Sequence, residues 1–81
     1  MPLDTLKNAK KVIGVKQTAK AVEKGTARLV YIAEDADKRV TTPLKELCGP
    51  KGIAIEMVST MTELGKACGI EVGAAAIAVL K

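Results

Sequence analysis

Polar and apolar positions alternate in short blocks along this chain, and the spacing inside each block separates helices from strands. Pro2-Leu3-Asp4 opens a first short helix, with Asp4 as its cap and Leu6, Ala9 and Ile13 roughly on one face. Val12-Ile13 reads alternatively as a brief strand stopping at Gly14. A second helix runs from Val15 or Lys16 to Lys24, with Val15, Ala19 and Val22 as its apolar stripe and Gly25 as its stop. Residues 28–33 (RLVYIA) form a mostly apolar run of strand formers, which suits a strand covered on both faces. Glu34-Asp35-Ala36-Asp37 follows as a polar loop.

Thr42-Pro43 predicts the start of a third helix, threonine as cap and proline at the first helical position, with Leu44, Leu47 and Cys48 facing inward. Gly49-Pro50 should end it, and Gly52 leads into a strand over residues 53–58 (IAIEMV). Thr60 and Glu63 have capping-box spacing for a fourth helix with Met61, Leu64 and Cys68 on its apolar face and Gly69 as its stop. Residues 74–80 (AAAIAVL) form a last strand poor in bulk, whose alanines admit a closely packed neighbour. Alternating helices and strands predict an α/β sandwich with helices on both sheet faces, built as a single domain over residues 1–81. The loops at one end of such a sheet are the default place for function.

Composition narrows the chemistry. Apolar residues make up 48% of the 81 residues, enough for a packed core, yet Tyr31 is the single aromatic residue. A nucleic-acid platform built from stacking aromatics is thereby excluded. The net charge of +4 is unevenly placed: residues 1–20 hold five lysines against Asp4 alone, whereas the remaining residues hold eight bases and eight acids. A basic patch confined to one region points to an anionic partner. The longest apolar run, residues 72–80, is shorter than the roughly 20 residues a bilayer span needs. Cys48 and Cys68 lie in no metal-binding spacing and there is no histidine, so they read as buried thiols in a reducing cytoplasm, with no cofactor or metal expected.

The second helix carries an electrostatic contradiction. Helix starts are positive and favour capping oxygens and acids, but Gly14-Val15 precedes Lys16 and Lys20 with no acid in the first turns. A Walker phosphate loop would need glycine and then Ser or Thr where Ala19 and Ala21 stand, so that reading fails. Catalysis has little to work with: Ser59, the single serine, has no evident base partner, and Glu34, Asp35 and Asp37 read as turn and cap chemistry before they read as a magnesium site. Lys16 and Lys20 share a helical face with Gln17 beside both. An anion bound at the tip would meet backbone N–H groups and lysines together, and Gln17 could read a base edge.

Three blocks, G-V-K-Q-T-A-K-A-V-E-K-G (14–25), V-Y-I-A-E-D-A-D (30–37) and E-L-G-K-A-C-G-I-E-V-G-A-A-A (63–76), resemble the ribosomal protein L-seven-Ae family of kink-turn RNA-binding proteins, closest to its small bacterial YbxF-like members. The resemblance covers nearly the whole chain. It implies a three-layer α/β/α sandwich around a mixed four-stranded sheet, and recognition of a sharply bent RNA with tandem sheared G·A pairs beside a three-nucleotide bulge. By resemblance, Gly14, Val15, Lys16, Gln17 and Lys20 would enter the groove at the G·A pairs. Ile70, Glu71, Val72 and Gly73 would cover the bulge, and Asp35 would lie near the flipped-out nucleotide. Many members carry Asn-Glu where Lys16-Gln17 stands, so phosphate contact should weigh more here. Archaeal members often carry lysine in place of Met61 and proline in place of Gly73, and the glycine implies a looser loop.

The expectation is a monomeric, cytoplasmic, non-enzymatic protein that binds structured RNA containing a kink-turn, in a ribosome or apart from one, with no membrane partner. The rival from another class is a protein-interaction module of the same fold, in which Ile70 and Val72 dock a partner and the lysines confer solubility.

Overall fold

The structure, a computed structural model, describes residues 10–81. In chain order the elements are β1 (Lys11–Ile13), α1 (Val15–Lys24), β2 (Ala27–Ala33), α2 (Lys38–Cys48), β3 (Ala54–Val58), α3 (Met61–Cys68) and β4 (Ala76–Leu80). The helix expected from Asp4 onward lies outside the described residues; of its expected face, Ile13 belongs to β1.

The sheet order is β1-β4-β2-β3, antiparallel except for the parallel β2–β3 pair. It is the mixed four-stranded sheet that the resemblance implies. Because β4 runs opposite to its neighbours, β1, β2 and β3 all point the same way, and each is followed by a helix. The N-termini of α1, α2 and α3 therefore meet at one end of the sheet.

Side chains alternate across the sheet and divide the core into two. On one face α1 and α2 cover Val30, Ile32, Ala76 and Ala78, using Ala21, Val22, Leu44 and Cys48. On the other, α3 places Leu64 and Cys68 against Tyr31, Ala33, Ile77 and Val79. The chain is thus a three-layer α/β/α sandwich. Ala76 and Ala78 show no exposed surface, and with only a methyl group each they let α1 settle close onto the central strand β4. The two cysteines are free, buried on opposite faces of the sheet, and their thiols are pushed up in pKa by burial.

One expected boundary is corrected. α2 begins at Lys38, not at Thr42-Pro43, and Pro43 lies inside it. The Asp37 side chain supplies the cap, accepting from the Arg39 N–H at 2.9 Å. The Arg39 guanidinium adds hydrogen bonds to the same carboxylate, and together these hold Asp37 below the usual carboxylate range. A proline inside a helix forfeits one backbone hydrogen bond and crowds the carbonyl four residues back, a cost of about 3 kcal/mol. Pro43 is exposed, so water can reach that carbonyl, while Thr41, Leu44 and Cys48 are buried and hold the helix to the sheet. Packing overrides the local signal.

Tyr31 is 2% exposed and its hydroxyl has no hydrogen-bond partner among the described residues. Burial and the negative charge of Glu56 raise its pKa above the ordinary 10.0, with Arg28 opposing. The folded state thus holds the phenol proton more tightly than the unfolded chain, so stability is full below pH 10 and falls as pH rises through the folded pKa. Tyrosinate absorbance, which reports Tyr31 alone, should appear above the ordinary value and coincide with alkaline unfolding. Tyr31→Phe should reduce the loss of urea stability between pH 9 and 11. An unaltered pH profile in that variant would show that the hydroxyl is not the group being titrated.

Candidate nucleic-acid interface

Gly14 joins β1 to α1 in one residue. Its backbone lies at φ 104° and ψ 153°, a region that side-chain-bearing residues avoid, and a Cβ there would meet open space. Glycine is required by conformation, not by crowding. The Gly14 N–H donates to the Ala76 carbonyl at 2.8 Å, and its own carbonyl accepts from Thr18 at 2.9 Å to begin the helix. Among the described residues no side chain caps α1, and no acid lies in its first turn. The N–H groups of Val15, Lys16 and Gln17 precede the first intrahelical bond and have no acceptor within the helix. Lys16, Gln17 and Lys20 are exposed, Val15 is half-buried, and the buried Thr18 hydroxyl has no partner among the described residues.

The two neighbouring helix starts are finished differently. Asp37 caps α2, and Thr60 caps α3 by accepting from the Glu63 N–H at 3.0 Å. α3 has a second cap: Asp35 reaches across from the β2–α2 loop and accepts from the Met61 N–H at 2.8 Å. The family resemblance sets Asp35 beside an extruded nucleotide; here its carboxylate is engaged in holding α3. The acidic loop is turn and cap chemistry, and among the described residues no group of three potential ligands could hold a metal ion. α1 is the helix of the three that presents its start without a side-chain cap.

The segment between α3 and β4 is held from several sides. Gly69 takes the left-handed conformation that closes α3, the Ile70 N–H donates to the Gly65 carbonyl at 3.0 Å, and the Ala74 N–H donates to Met61 at 3.1 Å. A Cβ on Gly65 would overlap the Val72 carbonyl, and one on Gly73 would stand 3.0 Å from the Met61 Cβ. These glycines allow backbone to press on backbone. Gly73 thus marks a close approach of the segment to Met61. Of the two apolar residues expected to contact a ligand, Ile70 is half-buried against the core, whereas Val72 is 71% exposed; Glu71 and Gly73 are exposed as well.

Backbone hydrogen bonds tie these parts together. Ala33 donates to Ala75 at 2.9 Å and Glu34 to Val58 at 2.7 Å, next to the Gly14–Ala76 bond. The α1 tip, the Asp35 loop and the segment 69–75 therefore share one end of the sheet. Two grooves flank α1. One, between α1 and α2, is lined by Val15, Ala19, Val40, Pro43, Leu44 and Leu47, with Glu23 its one charged residue. The other faces β1 and carries lysines. Sequence reasoning missed Gly65 as a seat for the loop, for which the glycine inside an otherwise helical block was the available signal. It also missed Lys24, which continues the four-residue spacing of Lys16 and Lys20.

The molecule is a small α/β/α sandwich that gathers three helix starts at one end, one of them basic and without a side-chain cap among the described residues. Residues 3–81 match the ribosomal protein L7Ae/L30e/S12e/Gadd45 family, and the chain belongs to it. It is 46% identical over 69 residues to a Bacillus pumilus protein named RNA-binding protein, covering 85% of this chain and 84% of that one. It is 42% identical over 76 residues to RNA-binding protein YbxF of Geobacillus stearothermophilus, covering 94% and 93% of the two chains. Among solved structures, the Giardia lamblia 15.5 kD RNA-binding protein superposes with a TM-score of 0.89 at 29% identity, over 98% of this chain and 70% of that one.

Gly65→Ala should raise helix propensity by about 1 kcal/mol yet still destabilise the protein by about 1–3 kcal/mol, because the added methyl meets the Val72 backbone. Urea unfolding measures the sum, and a variant more stable than the parent would contradict the close approach. In hydrogen exchange on the free protein, Asp35→Ala should expose the Met61 amide. Asp35→Asn should protect it, since the amide oxygen still accepts.

Proposed function

We propose that this protein is a non-enzymatic RNA-binding protein that recognises and stabilises kink-turns in structured RNA. The observation that carries the reading is the start of α1: three backbone N–H groups without an acceptor and no side-chain cap among the described residues, and Lys16 and Lys20 where acids would be the stable choice. Left alone, that arrangement sets like charges four residues apart against the helix dipole, at a cost of a few tenths of a kcal/mol. A phosphate at the tip reverses the sign of every one of these terms. RNA-binding relatives of nearly the same length support the choice of anion.

Each part then has a task. The Val15, Lys16 and Gln17 N–H groups, presented by Gly14, grip phosphate together with the Lys16 and Lys20 side chains. Gln17 contacts the exposed edges of the G·A pairs. Base edges of regular A-form RNA lie in a deep, narrow groove, so a helix tip reaches them only where the duplex is distorted. Val72, with Ile70, Glu71 and Gly73, covers the bulged nucleotides. Asp35 acts by positioning, through Met61, the loop that carries Val72. No helix of the described residues is long and apolar enough to cross a membrane. We place the protein in the cytoplasm as a monomer, on ribosomal RNA or another structured RNA.

Titration of a kink-turn RNA against the same RNA with Watson–Crick pairs in place of its G·A pairs should show clear preference for the former. Equal affinity for the two would sink the reading. Lys20→Ala should weaken binding to both and flatten the salt dependence by a little under one unit in the log–log slope. Gln17→Ala should instead narrow the difference between them. If neither substitution alters binding, the α1 tip is the wrong surface.

A further inference from the structure

The flank of α1 that faces β1 continues past the tip residues to Lys24, a charge which recognition of the bend leaves unused. Lys16, Lys20 and Lys24 lie on successive turns, so cations extend about 12 Å along the helix axis from the tip. Lys20, Lys24 and Gln17 rim a cleft of about 120 Å³ floored by Val12, Ala21 and Leu80. Lys10 stands beside the cleft, outside its lining: its carbonyl accepts from Leu80 at 2.8 Å, and extending the β1 register by one residue puts it opposite Leu80 on the Val12 face. Lys10, Lys20 and Lys24 are all exposed, and among the described residues no acid lines the cleft.

A row of cations over a small, shallow apolar floor offers no deep pocket for the buried aromatic or aliphatic anchor on which protein interfaces depend. It suits a linear polyanion. The same surface has no stacking residue for unpaired bases, because the single aromatic, Tyr31, is inside the core. Paired RNA, read through its backbone alone, fits both facts. The row starts at Lys16, so its ligand is continuous with whatever the tip holds.

We infer that this lysine-rimmed flank is a second contact surface, taking the sugar–phosphate backbone of a base-paired arm that runs away from the bend. The inference rests on the kink-turn reading for where the arm starts, and adds Lys10 and Lys24 as phosphate contacts. The test uses the full chain carrying Lys10→Gln and Lys24→Gln, with two kink-turn RNAs identical at the bend. One has arms cut to less than a helical turn; the other has arms extended past a full turn. The double variant should bind the long-armed RNA about tenfold more weakly, with a salt slope shallower by about one to two units, and the short-armed RNA as the parent does. Equal loss on both RNAs overturns the inference. So does unchanged affinity for both, which would leave the flank to an acidic protein surface. The same comparison on RNAs with Watson–Crick pairs at the bend separates the two claims. If the parent does not discriminate the bend but the variant's loss still follows arm length, the kink-turn reading falls and the backbone contact stands.

Discussion

Gly14 donates its N–H to Ala76 while holding φ at 104°, and this junction sets the character of the whole end of the molecule. A serine, asparagine or aspartate that caps a helix does so from extended backbone with negative φ, its side-chain oxygen folded back over the first turn. Gly14 cannot supply that oxygen, and a residue that could would be strained in the conformation that reaches Ala76. Joining β1 to α1 in a single residue therefore excludes a cap. The open helix start follows from how the chain must turn to keep α1 on the sheet. Lys16 and Lys20 make that opening basic, where an acid would have been the local remedy.

The acceptor of that bond begins β4, the strand at the centre of the assembly. One residue earlier, Ala75 accepts from Ala33 at the end of β2, and one before that, Ala74 donates to Met61 at the start of α3. Met61 is held by Asp35. Four consecutive contacts thus run from the α1 tip to the acidic loop, all through backbone groups or a carboxylate on a backbone N–H. The Gly65 approach to Val72 fixes the far side of the loop against α3. The distance between the tip and the exposed Val72 is set before any ligand arrives, which lowers the ordering cost of binding.

Much of this was legible in the sequence. The limits of α1, the strand at Val12-Ile13, the Thr60 cap, and the Gly25 and Gly69 stops depend on interactions within a few residues, and the residue types there are selective. The alanines of β4 announced a close neighbour and found it in α1. Local signals failed where distant packing decided: Thr42-Pro43 looks like a helix start, yet Asp37 is the better cap and the buried face of α2 outweighs an interior proline. The site divides in the same way. The uncapped basic tip could be read directly, because it violates a local rule. Asp35 gave no hint of its role, since its partner Met61 is 26 residues away. Gly65 looked like an ordinary helix glycine because the atom it accommodates belongs to a different segment.

This rigidity bears on how so small a surface could select a bent RNA. Converting a bend from a minor to the dominant form, from about 1:99 to 99:1, takes roughly a 10⁴-fold difference in affinity between the two states. Lysines cannot supply such a difference, because a straight duplex offers phosphates just as well. Nor can stacking, with one aromatic residue sealed in the core. What remains, beside the Gln17 contact to the G·A edges, is geometry: two contact elements at a fixed separation that a bent RNA would meet together and a straight one singly. A mobile loop would follow either shape and forfeit the distinction. On the proposed kink-turn reading, the bonds from Gly14 to Asp35 would act on selectivity and the lysines on affinity. On this reading Lys16, a positive charge where many relatives carry asparagine, strengthens binding to RNA of either shape, while Gln17 and the backbone behind it carry the discrimination.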